Sequence, residues 1–541
     1  MRMTMMAICL LYAVASAAEH DHAPSSGTAP PLFDDLGTYS HPVTTSSPDA
    51  QRYFDQGLRL VYAFNHDEAI RAFNEAARLD PHCAMAQWGI ALALGPNYNL
   101  PIDAERERAA DEALARAQAL APKASPAEQA YIAALATRYA DGERATLDRA
   151  YAAAMRKVMQ QHPDDPDAAT IFAESLMVLR PWALWQPDGK PAPDTLEIVA
   201  TLEGVLAKNP NHPGANHYYI HAVEASPDPS RALASAQRIP GLAPGAGHLV
   251  HMPSHVYMRV GRYADAVTAN ERAIVADQKY IAAEKPAGAY PMMYYPHNIH
   301  FLSAAASMDG RSAVALGAGR DVSKEITPAM LREMAMLEYF APTSVLVMVR
   351  FGRWTEILAE PVPPAEFAYW SGMHHFARGM AFAATGKVEK ASLERAKLAA
   401  IAAAMPADRI VADNQPAQQL LVLAAGLLAG EIAARQNLPE PAARFLREAA
   451  AREDALPYTE PPPWPLPVRH YLGALLLAQG RAGDAVVVYE DDLKRNPGNG
   501  WALYGLGASL RPSDPTQAVE VDARFTDAWQ RADVKLPASR F

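Results

Sequence analysis

Eight of the 17 histidines lie between residues 212 and 300, where an even share would place about three. Seven of them, with one carboxylate, fall in three short runs: His217, His221 and Glu224; His248, His251 and His255; His297 and His300. Within each run the spacing is three or four, which on a helix puts every donor on one face. Imidazole and carboxylate without thiolate make a donor set for zinc, copper, iron or nickel. Eight donors exceed one four-coordinate site. The expectation is one or two transition-metal ions per chain: two metals, or one metal with a supporting layer of His and Glu behind its ligands. Glu224 is then either a ligand or a general base. A lone helical histidine is ordinarily structural or simply exposed, and His66, His82, His162 and His470 are read so. His374 and His375 are read as packing residues. Seven imidazoles gathered together would repel one another whenever they protonate, which weighs against a merely structural role.

The elements that must position these residues are helices. From residue 49 onward the chain is alanine-rich and helical in pattern, with Pro or Gly between runs and little strand-like alternation. Gly57, Ala69, Phe73, Ala76 and Pro81 stand at successive offsets of 12, 4, 3 and 5. Gly473, Ala485, Tyr489 and Pro497 repeat the frame, which continues into Trp501, Tyr504 and Gly505. This pattern resembles the tetratricopeptide repeat. There small residues sit where two helices cross and a large one fills the hole opposite. Weaker copies surround Gly261 to Tyr263, Gly379 with Gly386, and Gly430 with Ala442, Leu446 and Ala449. The resemblance covers roughly residues 49–530 and implies an all-α fold, a helical-hairpin solenoid with inserted loops. Spacers near 97–127, 180–194 and 279–295 break the period, and loops folding over the groove are expected there.

In tetratricopeptide proteins the concave groove is lined by positions 2, 5, 9, 12 and 13 of the first helix of each repeat. Three repeats starting at Pro213, Gly247 and Pro296 place histidine in seven of the nine slots at positions 2, 5 and 9. His217, His251 and His300 share position 5, and His221 and His255 share position 9. Each set is therefore expected at one level across three neighbouring helices, with Glu224 one turn beyond. Trp182 and Trp185 open the 180–194 spacer and read as loop packing or as an aromatic wall. Tyr257, Tyr294 and Tyr295 are candidates for lining a pocket, whereas Met252, Met258, Met292 and Met293 read mainly as core.

The N-terminus reads as an address. Arg2, a short apolar run from Met5 to Val14, and Ala15-Ser16-Ala17 form the layout of a secretory signal peptide over residues 1–18. Residues 19–48 read as a flexible leader, and 49–541 as the solenoid, with its metal-site repeats at about 210–310. Cleavage after Ala17 would expose Ala18-Glu19-His20, a square-planar Cu(II) motif, although simple solvation is the commoner fate of such a terminus. The expected location is the periplasm or outside the cell. The mature chain keeps only Cys83, so packing rather than disulfides must hold it together. A net charge of −11 argues against nucleic acid, and no second apolar stretch predicts a membrane span.

Two classes of function follow. One is a metal-dependent oxidase, oxygenase or hydrolase acting on a small molecule or peptide in the groove. Copper stands slightly ahead of zinc and iron there, on the export signal, the missing thiolates and the Irving–Williams order. The other is a scaffold that binds a protein partner, the default that the repeat resemblance implies. Arg52, Phe54, Leu58 and Val61 fill the first repeat's groove positions, which does not fit the carboxylate-clamping subtype. The segments from Asn216 to His221, His251 to His255 and His297 to His300 resemble exported bacterial tetratricopeptide proteins, a likeness that carries compartment and fold but no activity. HExxH, GxSxG, P-loop and paired CxxC motifs are all missing from the sequence.

Overall fold

The computed structural model describes residues 29–541 apart from Asp413. The signal-peptide reading and the Ala18-Glu19-His20 motif lie outside the described residues. Helix follows helix along the chain as hairpins, beginning with Pro48–Tyr62 and His66–Leu79 and ending with Gly500–Leu510 and Pro515–Ala528. The only strands among the described residues are the two-residue pair Ile410–Val411 and Gln415–Pro416. The chain is an all-α solenoid of tetratricopeptide type.

The reasons are local. Many of the prolines open helices, where their missing N–H costs nothing: Pro48, Pro126, Pro166, Pro213 and Pro515 stand in the first turns. Ser47 and Ser125 cap two of those helices, and Ser125 forms a reciprocal capping box with Glu128. Phe73 is fully buried against both Gly57 and Gly89. A Cβ on either glycine would come within 2.5 or 2.6 Å of the ring, so only glycine lets the helices close on it. Tyr489 plays the same part between Gly473 and Gly505.

Two expectations are corrected. Residues 29–47 are not free but form a strap tied to the first repeats. Tyr53 donates to the Pro30 carbonyl and Gln56 to that of Pro31, while the Phe33 amide donates back to Gln56. Further along, Thr44 binds Glu128 and Thr45 binds Asp80. The 97–127 spacer is mostly the Ala104–Leu120 helix, an ordinary second helix of a hairpin whose small apolar face is alanine rather than a recognisable motif. The groove is covered. The first hairpin packs against the Pro213–Val223 helix, with Tyr62 over Gly214, and covers the histidine face from one side. From the other side residues 459–461 come up to the histidines, and further along the Tyr295–Met308 helix Trp501 donates to the Ser307 carbonyl at 3.0 Å.

The Ala417–Arg435 helix is long and apolar enough by length and composition to cross a membrane. Two thirds of its apolar window is buried, packed between the flanking helices Val388–Ala404 and Pro439–Asp454. It is accounted for as a core helix.

Candidate metal centre

Three helical segments bring the histidines together. Pro213–Val223 carries His217 and His221, with Glu224 as its C-cap residue. The second segment is Gly247–His251 continued by Pro253–Arg259, carrying His248, His251 and His255 across the break that Pro253 makes. The third, Tyr295–Met308, follows a π-turn at Tyr290–Tyr294 and carries His297 and His300. His217, His221, His248, His251, His255 and Glu224 are each at most 2% exposed, and His297 is half-buried.

The donors form two groups of three imidazoles, His217, His221 and His248, and His251, His255 and His297, and a third set, His221, Glu224 and His255, links them. Within each group one donor atom per residue lies within 4.8 Å of the others. His217 Nε2 is 3.2 Å from His248 Nε2. His251 Nε2 is 2.9 Å from His255 Nε2 and 3.2 Å from His297 Nε2. The expectation of shared levels is corrected here. Position 5 of one helix faces position 2 of the next, a stagger of about one turn at that level, whereas His221 and His255, both at position 9, do meet, on Glu224. His300 consequently falls outside both groups. It packs edge-on against Tyr339 and Phe340, with ring centroids 5.3 and 5.2 Å away.

The partners on the far side of each ring fix its tautomer. His217 Nδ1 is 2.6 Å from the Tyr62 carbonyl oxygen, and His251 Nδ1 is 2.7 Å from Asn270 Oδ1. Asn270 spends its own N–H groups on Ser254 and Ala266, which leaves its oxygen facing His251. His221 Nδ1 and His255 Nδ1 meet the two oxygens of one carboxylate, Glu224, at 2.8 and 2.5 Å. All four Nδ1 atoms face acceptors, so in each ring the Nδ1 carries a proton, and in the neutral ring Nε2 presents a lone pair. Burial, then the neighbouring imidazoles, holds His217, His248, His251 and His297 well below the ordinary histidine value. Burial lowers His221 as well. Burial pushes the Glu224 carboxyl up, but His255 and His221 more than reverse it, to about 2.

With both rings neutral, lone pair faces lone pair between His251 and His255. Nitrogens on one metal, with bonds of about 2.0–2.1 Å, stand about 2.9 Å apart at a right angle and about 3.3 Å apart in a tetrahedron. The observed separations of 2.9 and 3.2 Å fall in that range. Glu224 lies behind the rings, where it orients His221 of one group and His255 of the other.

A cavity of about 50 Å³ opens on the Nε2 side, lined by His221, His248, His255 and His297 and walled by Trp182, Tyr294, Tyr339 and Phe340. It has room for on the order of three water-sized molecules. Trp182, from the 180–194 spacer, meets the His221 ring at 5.7 Å, and Tyr294 meets His248 at 4.8 Å. Tyr257 instead stacks beneath Arg262, and Tyr295 bonds Gln278. Glu460 also lines the cavity. Burial raises it to about 7, and its Oε2 has no partner among the described residues.

Sequence reasoning missed several of these. Phe64 meets His217 edge-on and stacks on His248, with centroids 4.5 and 5.5 Å away, from a backbone at φ 57° that few aromatic residues adopt. Asn270 at a helix interior was a detectable signal, since a buried Asn there needs a partner. The Tyr62 carbonyl and Glu460 had none, because they reach the site from repeats distant in the chain.

Fold and site together define a tetratricopeptide-type solenoid enclosing a histidine cluster. No protein-family model matches the chain, and no curated protein matches it. Solved structures similar to it include the APC/C hetero-tetramer Cut9–Hcn1 at 12% identity and TM-score 0.32, covering 90% of this chain and 76% of that one. The human IFIT1 dimer with m7Gppp-AAAA is 13% identical at TM-score 0.33, with 90% and 91% covered. Yeast Tom70 is 11% identical at TM-score 0.29, with 88% and 93% covered. At these values the likeness stays with the helical architecture and extends to none of those proteins' ligands.

Proposed function

We propose that this is an exported metalloprotein holding two histidine-bound transition-metal ions, copper before zinc or iron, beside a cavity for a small molecule. The observation that carries it is the pair of imidazoles, His251 and His255, whose Nε2 atoms stand 2.9 Å apart while both Nδ1 atoms face acceptors. A shared metal turns that repulsion into coordination. Two three-imidazole groups with no thiolate favour copper on affinity. Three protein ligands leave a further position for an exogenous molecule on each metal, as catalytic sites do. The cavity's size restricts that molecule to a few heavy atoms. Redox chemistry on a small molecule is the activity this arrangement suits with copper or iron, and hydrolysis with zinc. Burial of the imidazoles speaks against their being the face a protein partner touches; partner capture would use the outer surfaces of the repeats.

Elemental analysis of untagged protein purified from the periplasm tests the proposal. Close to two equivalents of one transition metal are expected, and a His217→Ala/His251→Ala/His255→Ala variant should carry none. Protein that stays metal-free after incubation with Cu, Zn and Fe would refute it.

A further inference from the structure

A second, smaller cavity of about 20 Å³ shares His300 and Tyr339 with the one at the histidine centre and runs on along the Tyr295–Met308 helix. Ser303, Ser307, Thr343 and Arg350 line it. Arg350 is 3% exposed and makes no direct ion pair among the described residues. One terminal nitrogen donates to His470 Nδ1 at 3.0 Å, the other meets the Met308 sulfur at 3.6 Å, and the guanidinium lies 3.9 Å over Trp501. Its Nε–H has no acceptor among the described residues.

The acidic groups nearby are engaged elsewhere. Asp492 stands at one remove, accepting from His470 Nε2 at 3.0 Å and from Asn499 at 2.9 Å. Glu453 accepts from the Val468 amide, and burial raises it to about 8, so it holds its proton. None of the residues lining the cavity is acidic. Ser303, Ser307 and Thr343 donate to the Ala315, Ser303 and Phe340 carbonyls, so each hydroxyl proton is already placed. The guanidinium is left as the cavity's one charged donor, beside the His300 ring, whose Nδ1 also has no partner among the described residues. A buried guanidinium with an unmet N–H is costly, and an anion is the partner that removes the cost. A cavity needs roughly 10–15 Å³ to admit one water-sized body, so this one takes a single small particle and excludes phosphate, sulfate and organic acids.

We infer that Arg350 and the Ser303–Ser307–Thr343 cavity bind one monovalent anion of halide size, next door to the histidine centre and independent of its metal. The test uses the full-length protein. Its Tm is compared in sodium bromide and sodium gluconate at equal ionic strength, and crystals grown in bromide are measured at the bromine edge. A rise of at least about 2 °C in bromide, lost in Arg350→Met, and an anomalous peak beside the guanidinium are expected. Should Arg350→Met fail to fold, the anomalous map decides. Equal Tm values in the two salts, or a cavity holding only water in bromide crystals, would overturn the inference.

Discussion

Replacing Glu224 by Gln separates a paired metal centre from a merely buried histidine cluster. The Glu224 carboxylate receives Nδ1–H from His221 at 2.8 Å and from His255 at 2.5 Å. A glutamine of the same shape offers one oxygen and one NH₂ group. The imidazole opposite the oxygen keeps its tautomer. The one opposite the amide nitrogen must accept at Nδ1, so its proton moves to Nε2 and the lone pair that faces the metal is lost. His221 and His255 belong to different groups of three, so the variant should damage one site and spare the other. Disturbing such an orienting partner costs about 10–100-fold in metal affinity, which is about 1.4–2.8 kcal/mol. Losing the donor outright belongs at the upper end. The assay is titration of metal-stripped protein with Cu or Zn against a competing chromophoric chelator. The wild type should take up two equivalents. Glu224→Gln should take up one tightly and the second about 100-fold more weakly. Two equivalents bound with unchanged affinity would refute the orienting role of the carboxylate and the division into two sites.

Single substitutions extend this: His217→Ala and His251→Ala should each retain one equivalent, whereas His300→Ala, packed on Tyr339 and Phe340, should retain two, all read by elemental analysis. In the strap, burial pulls His41 down, but Asp167, 2.7 Å away, more than reverses this and raises it to about 9. The folded value lies above the ordinary 6.5, so this pair's contribution is complete below pH 6.5 and lost as the pH rises through 9. Proteolytic cleavage within residues 29–47 should accelerate across that window, and Asp167→Asn should abolish the dependence. Phe73→Ala empties the space between Gly57 and Gly89 and should cost about 3–5 kcal/mol in chemical denaturation; a loss below about 1 kcal/mol would contradict the packing described.

The repeat was legible because its signal is steric. Gly57 and Phe73 stand twelve plus four residues apart for the same reason that their side chains meet in space. The histidines were legible because groove positions recur at fixed offsets. What stayed hidden needed the third dimension. The one-turn stagger of neighbouring helices moves His297 against His251 and leaves His300 aside, and spacing within one helix says nothing about it. Closure of the groove depends on Phe64 and Tyr62, about 150 residues upstream of the site they cover. The strap reads as flexible by composition because its polar residues were counted as solvated, whereas Tyr39, His41 and Thr44 spend their polar atoms on Asp167 and Glu128.

The most direct test of the account is an anomalous-difference map of the metal-loaded protein, recorded above and below the absorption edge of the metal that elemental analysis identifies. Two peaks are predicted, one among His217, His221 and His248 and one among His251, His255 and His297. No peak in either group, or a single peak seated on Glu224 between the Nδ1 atoms of His221 and His255, would contradict it.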